Sequence, residues 1–395
     1  MKRFLITFML GLGLVAPVAA HAAVTDPLMQ KLVDKGTLTP AEAEEIESKK
    51  AGIPSALDGL SVGMTAFFDY SAGQTGGATR ANYNRFTLQR GYINIKKDIT
   101  PWLKARITPD IKTGSTVTGD YVIRMKYLYT DILPSDLGPL TSNVIRAGLG
   151  HTPFIDFEES MTGYRMQSAL FQDKRGLITS SDLGVSVLGN IGGKLGKEQT
   201  ESIGSSSYPG RYGSYHIGVY NGGGYGSTTE NNQNKTVQAR LTVRPLAEIL
   251  PGLQLTYFGI VGKGNSAETA TGKAQTLRNN TGLISYQHRY FTATGEYVTG
   301  RGSVAGDTVS AKKKSGYSVF AKAVIPGYDN VALFGRYDTL DPDKDAQKDR
   351  IQTHIAGVSY RLSKGNYIVA AYEKTHDQTR RFDDKKGQVV LQTEF

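Results

Sequence analysis

From Gly59 to Phe395 the chain alternates strand-length segments with turn-rich stretches of Gly, Asn, Ser and Pro, and within the segments apolar and polar positions trade places residue by residue. The last segment shows the pattern most plainly. Val389, Leu391, Thr393 and Phe395 share one face, Gln388, Gln392 and Glu394 the other, and only Val390 breaks the order. Period two puts successive side chains on opposite faces of a strand. One apolar face, one polar face and a terminal aromatic suit a barrel with lipid outside and water inside. Sixteen such segments can be drawn, at 59–71, 82–96, 101–112, 119–132, 142–152, 180–192, 210–221, 233–245, 251–263, 277–288, 290–300, 314–325, 330–341, 349–362, 366–377 and 384–395. They predict an all-β fold, a transmembrane antiparallel β-barrel of 16 strands with both ends on one side. Connections at 97–100, 246–250, 289, 326–329 and 363–365 are short and alternate with longer loops, as periplasmic turns and outer loops do. The stretch 193–209 is long where a short turn is expected, and an extra hairpin there would make the count 18.

Upstream, Lys2 and Arg3 precede an apolar run from Phe4 to Val18, and Ala20-His21-Ala22 supplies small residues before a cut. That pattern predicts a secretory signal peptide over 1–22. The run is too short to span a bilayer and is broken by Pro17. Residues 23–58 form a periplasmic helical extension and linker, and 59–395 the outer-membrane barrel. In the extension Asp26 caps a helix opened by Pro27 that Gly36 can end, and Thr39-Pro40-Ala41-Glu42 is a capping box. Pairing with its copies, a seat near the barrel mouth and a loosely ordered tether are its three possible roles.

Composition narrows the class. Hydrophobic residues are 39% of the chain, mean hydropathy is −0.31, and there are 46 glycines and 22 tyrosines against 14 phenylalanines. A membrane protein can be this polar only if half of each spanning strand faces water. Loss of Lys2 and Arg3 with the leader leaves 44 basic against 36 acidic residues, a net +8. No cysteine is present, which removes a disulfide framework and any thiolate metal site.

Alternation then assigns faces. Tyr121, Ile123, Met125, Tyr127 and Tyr129 are expected on lipid, so Arg124, Lys126 and Thr130 point into the lumen. A charge facing hydrocarbon at mid-depth would cost roughly 2–4 kcal/mol. The same parity turns Lys104 and Arg106 inward opposite Leu103, Ala105 and Ile107, and Arg146 inward opposite Ile145, Ala147 and Leu149. Arg240 and Arg244 oppose Val237, Ala239, Leu241 and Val243; Arg336 joins them on a strand whose apolar face is blurred by Phe334. The result is a basic column that attracts anions, unless these bases merely pair with loop carboxylates. Trp102, Tyr129, Tyr257, Tyr286 and Tyr360 read as interfacial girdle.

The loop 153–179, third on the outer rim, mixes apolar anchors with charge of both signs. Long loops with such content are usually functional. Phe154, Phe157, Met166 and Phe171 are suited to hold it inward, leaving Arg165, Lys174 and Arg175 to constrict the pore opposite Asp156, Glu158 and Glu159. The alternative is a rigid outer cap.

Three stretches, Phe86-Thr-Leu-Gln-Arg-Gly-Tyr-Ile93, Lys126-Tyr-Leu-Tyr-Thr-Asp131, and Arg146-Ala-Gly-Leu-Gly-His-Thr-Pro-Phe154 followed by Ser180-Ser-Asp-Leu-Gly-Val185, resemble the phosphate-selective porin O and P family. The resemblance is sharpest over 82–187. It implies a sixteen-stranded barrel, commonly a trimer, with a third loop folded inward and arginines and lysines along an anion path. The family's phosphate trap is matched in general character only, since this loop is acid-rich at its start.

Catalytic patterns are missing: there is no Gly-x-Ser-x-Gly, no phosphate-binding loop ending in Lys-Ser or Lys-Thr, and no His-Glu-x-x-His. His354 and Ser359 fall on opposite faces by parity. Glu158-Glu159 and Asp383-Asp384 lack the alternating oxygens of a calcium loop. Neither metal nor cofactor is expected. The Lys312-Lys313-Lys314 run suits lipopolysaccharide phosphates rather than nucleic acid. The expectation is a non-enzymatic outer-membrane porin, homotrimeric, embedded in the lipid bilayer, passing small hydrophilic solutes and favouring small anions. A scaffold barrel that sheathes a periplasmic electron carrier, or acts as adhesin or lipid anchor, is the alternative, and the 153–179 loop discriminates: an open lumen suits the sheath, a narrowed one the pore.

Overall fold

A computed structural model of the chain describes residues 27–50, 57–114, 119–227, 229–265, 274–304 and 311–395. The expected signal peptide, the Asp26 cap and residues 51–56 of the linker lie outside the described residues. The chain divides into two units, one ending at Gly59 and one running from Leu60 to Phe395.

In the first unit, α1 (Pro27–Asp34) and α2 (Pro40–Lys50) flank a turn in which Gly36 takes φ 68°. The capping box is formed. Thr39 N donates to Glu42 Oε2 (2.8 Å) and Glu42 N donates to Thr39 Oγ1 (3.3 Å), satisfying two amides that the helix start leaves free.

The second unit is a closed antiparallel barrel of sixteen strands. They are β1 Leu60–Thr75, β2 Ala81–Thr100, β3 Leu103–Thr113, β4 Tyr121–Ile132, β5 Leu140–His151, β6 Ser181–Ile191, β7 Gly213–Tyr220, β8 Thr236–Val243, β9 Leu253–Lys263, β10 Thr276–His288, β11 Phe291–Arg301, β12 Lys313–Ile325, β13 Tyr328–Asp341, β14 Ile351–Ser363, β15 Asn366–Asp377 and β16 Asp384–Glu394. Closure is made by β1 on β16, in register from Thr65 opposite Glu394 to Gln74 opposite Lys385. Each strand therefore has a partner on both edges, the condition for placing a sheet in hydrocarbon. The stretch between β6 and β7 contains no further hairpin. It holds the short helix Lys197–Ile203 and a single bridge from Lys194 to Gly210, so the count is sixteen, not eighteen. One rim carries short turns at 101–102, 289–290, 326–327 and 364–365 together with the long stretch 192–212; the other carries 152–180, 221–235, 264–275 and 302–312.

The outer wall is an apolar belt in which Phe86, Ile123, Val185, Ile217, Val261 and Leu333 are all exposed. The inner wall is polar, with Thr108, Asp110, Gln238, Thr242 and Ser285 among its buried residues. Two bulges change which side chains go where. Thr108 opposes Tyr127 while Pro109 opposes Met125, leaving Lys126 as the extra residue of β4. Proline has no amide to give the ladder, which favours a bulge at this point. An extra residue reverses parity beyond it. Tyr127 and Tyr129 consequently face the lumen and are buried, Leu128 is exposed on the outside, and Thr130 shares an outer groove with Leu128, Ala105 and Ala147. The unbroken alternation expected over 121–130 is thus corrected, and Tyr129 leaves the girdle. Trp102, Tyr257 and Tyr360 remain exposed on the outside. The second bulge sits on β2, where Phe67 opposes Arg90 and Phe68 opposes Leu88, with Gln89 the extra residue.

Candidate permeation site

The long loop 152–180, here L3, folds into the barrel. Its helix α3 (Ile155–Thr162) ends at Gly163 with φ 74°, a left-handed cap that glycine adopts without strain. Phe154, Ile155, Phe157, Met161, Leu170, Phe171, Leu177 and Ile178 cluster with Phe258, Ile260, Leu277, Leu283, Val298 and Leu340 of the inner wall. Phe154 stacks on Phe258 with ring centroids 5.0 Å apart. Further along, Met166 joins Phe67, Tyr92, Phe320, Phe334, Ile355, Val369 and Val390, and Tyr164 stacks on Phe334 at 4.0 Å while bonding Ser359 at 2.7 Å. Apolar side chains on a wall meant for water are explained by this seat. Each fully buried aromatic or aliphatic residue contributes about 1.5–3 kcal/mol.

Polar contacts complete the anchorage. Gln172 donates to Thr281 (3.0 Å) and Glu296 (2.7 Å) and accepts from Asn279 (2.8 Å). Arg240, only 1% exposed, donates to the Pro153 carbonyl (2.8 Å), Ser214 (2.9 Å) and Thr242 (2.6 Å), and its guanidinium lies 4.2 Å from the Phe157 ring centroid. Glu158 is buried; desolvation, then the neighbouring Glu296, push its carboxyl well above the ordinary range.

The bases named from sequence occupy different environments. Arg124 pairs with Asp110 (2.8 Å), and Arg146 pairs with Asp131 through two bonds of 2.8 Å and also meets His151 Nδ1 at 2.8 Å. Arg106 reaches Asn94 (2.7 Å) and stacks over Tyr127; Lys104 pairs with Asp98 (3.1 Å). Arg336 pairs with Asp338 (3.0 Å). Lys126 bonds Ser180 (2.8 Å). Arg240 and Arg244 point inward but are covered, Arg240 by L3 and Arg244 by the segments whose carbonyls it binds at Gly210, Pro251 and Tyr208. They anchor chain segments.

Within L3, Arg165 alone pairs with the loop's own acids, Glu159 (3.3 Å) and Asp173 (2.6 Å). Lys174 pairs with Glu373 of β15 (2.5 Å), Arg175 bonds Thr353 of β14, and Asp156 accepts from Tyr208 (2.7 Å). Lys174 and Arg175 therefore do not face Asp156, Glu158 and Glu159 across a gap but reach to the wall, while Arg165 meets Glu159 within the loop.

Open space remains on the side of the barrel formed by β1, β2, β3, β15 and β16. At the L3 rim a cavity of about 430 Å³ is lined by Tyr83, Lys174, Arg175, Arg380, Lys385 and Lys386, with Glu373 and Asp384. Deeper, a cavity of about 380 Å³ is lined by Phe67, Thr87, Gln89, Arg90, Lys112, Thr113 and Arg165, with no carboxylate in its lining. Gln74 of the first and Phe67 of the second are roughly 20 Å apart along β1. Sequence inspection did not name Arg90 or Lys112. Counting by twos from the outward Phe86 puts Arg90 on lipid, and only the bulge at Gln89 turns it inward. For Lys112 a signal was present, since the parity that turns Lys104 and Arg106 inward turns it inward also.

No family model matches the chain, and no curated protein is similar to it in sequence. Solved structures are similar in fold. The anion-selective porin of Comamonas acidovorans superposes with a TM-score of 0.56 at 12% identity, covering 85% of this chain and 100% of that one. OmpF of Salmonella typhi gives 0.58 at 13%, and the outer membrane channel DcaP of Acinetobacter baumannii 0.56 at 13%, each covering 86% of this chain and 98% of its own. The fold is that of the outer-membrane porins. A closed sixteen-strand barrel with an apolar outer belt and a polar interior belongs in the bacterial outer membrane.

Proposed function

We propose that this protein is a passive outer-membrane channel that admits small hydrophilic solutes and favours anions. The observation that carries the proposal is the deeper cavity, where Arg90, Lys112 and Arg165 converge beside L3 with no carboxylate in the lining. A low-dielectric wall strengthens such a field, and a row of bases lowers the barrier for an anion without trapping it when the solute can pass from one to the next. Lys385 and Lys386 at the rim, then Arg90 and Lys112, then Arg106 and Lys104 toward the short-turn rim, form such a row in this reading. Solute moves down its gradient, L3 sets the size limit, and no bond is made or broken.

The similar Comamonas protein is described as anion-selective, and OmpT of Vibrio cholerae as a trimer form, which supports anion passage and a homotrimer here. Phosphate selectivity, implied by the sequence resemblance, is the narrower version of the same proposal. A sheath for an electron carrier needs an open lumen, and L3 lying across this one counts against it. The test is the reversal potential of the reconstituted channel under a potassium chloride gradient, with and without phosphate. Anion preference supports the proposal; cation preference refutes it; block by dilute phosphate selects the narrower form.

A further inference from the structure

The loop 221–235, here L4, brings a side chain to the lumen and is tied down by hydrogen bonds. Gly222 N donates to Asp182 (2.7 Å) and Tyr225 N to the Ser181 carbonyl (3.0 Å). Asn265, from the next loop on the same rim, donates to the Thr229 carbonyl (2.8 Å) and accepts from Asn231 N (2.7 Å). Gly224 sits at φ 70°, and a Cβ there would meet Thr179 of L3 at 2.7 Å, so only glycine allows L4 to lie this close.

The side chain so placed is Tyr225. Its hydroxyl accepts from Arg124 Nη2 (2.8 Å), the Arg124 guanidinium lies 4.3 Å from its ring centroid, and Lys126 Nζ lies 4.9 Å from the same ring. Tyr92 and Tyr127 flank the same ammonium at 5.4 and 5.5 Å. Among the described residues no carboxylate lies within 4.0 Å of Lys126, whose bond to Ser180 is its one hydrogen bond, and the residue is 6% exposed. An ammonium with no carboxylate in direct contact is thus enclosed by three tyrosine faces, an arrangement the ring quadrupole stabilises. Two of those rings belong to the wall. The third belongs to a loop and acts as the lid.

We propose that Tyr225 is a specificity-determining residue of the channel: its ring narrows the passage beside L3 and keeps Lys126 from meeting the solute. This rests on the channel reading above. The deeper cavity offers Arg90 and Lys112 to an anion, while a further base on the adjoining strand, Lys126, is covered by one phenol; Arg124 beside it is already offset by Asp110. Anion preference is therefore set below what the charge of this wall could give.

The experiment compares Tyr225→Ala, Tyr225→Leu and Tyr225→Phe with wild type in planar bilayers, and in parallel treats each with a water-soluble amine-reactive reagent and maps modified lysines by mass spectrometry. Tyr225→Ala should raise single-channel conductance by about half or more and shift the reversal potential toward anions, and Lys126 should become modified. Tyr225→Phe keeps the ring and should match wild type in conductance and in protection of Lys126. Tyr225→Leu, which preserves apolar packing if the alanine variant does not fold, should fall between them. Unchanged conductance together with a protected Lys126 in the alanine or leucine variant overturns the proposal, as does a phenylalanine variant that opens as far as alanine. Cation preference of the wild type would instead sink the anion channel, and the lysine protection pattern would still report on Tyr225.

Discussion

Neutralising Arg90 and Lys112 together should remove most of the channel's anion preference. Both line the deeper cavity of about 380 Å³, whose size places a small anion roughly 5 Å from each. At that distance one unit charge attracts another by about 0.8 kcal/mol in a water-like medium and about 3 kcal/mol at an effective permittivity near 20. Arg165 contributes less, because Glu159 and Asp173 already offset its charge. Taking the water-like value for two charges gives about 1.6 kcal/mol, on the order of tenfold in anion occupancy. In the double variant Arg90→Gln with Lys112→Gln, the chloride-to-potassium permeability ratio at 0.1 M salt should therefore fall on the order of tenfold. At 1 M, where the screening length shrinks from about 10 to about 3 Å, most of that difference should vanish. Neither side chain is fully buried, and the one hydrogen bond that Arg90 makes among the described residues is a 3.4 Å contact to its neighbour's carbonyl, so the barrel should stay as stable as wild type. A ratio that does not move, or that moves equally at both salt concentrations, would refute the electrostatic reasoning.

Removing the Phe154 ring should cost about 3–5 kcal/mol, because its fully buried stack on Phe258 leaves a cavity when truncated; the measurement is the guanidinium unfolding midpoint of Phe154→Ala. Arg240→Met keeps the volume but leaves the Pro153 carbonyl without its donor, so roughly 1–3 kcal/mol should be lost and the open channel should flicker more in single-channel records. Glu158 has a raised folded-state pKa, so its contribution is fully present below the ordinary carboxylate range and is lost as pH rises through the elevated value. Wild type should thus lose thermal stability with rising pH more steeply than Glu158→Gln; parallel curves would mean that the carboxyl does not titrate beneath L3.

The strand count, the closed barrel and the unequal rims were legible in the sequence because period-two alternation and turn residues are local signals, and each spanning segment must satisfy its own two faces. The inward seat of L3 was legible for the same kind of reason: Phe154, Phe157, Met166 and Phe171 in a charged loop need cover, and the wall supplies it. Tertiary structure decided the rest. A bulge is a property of two strands in register, so parity within β4 or β2 alone could not show that Tyr127 and Tyr129 turn inward or that Arg90 escapes lipid. Likewise an inward arginine is exposed to solute or sealed according to what crosses the lumen above it, which is why Arg240 and Arg244 became anchors while Arg90 and Lys112 kept open space before them. Tyr225 gave no signal at all, because its position depends on hydrogen bonds from L4 to Ser181 and Asp182 that only the folded chain brings together.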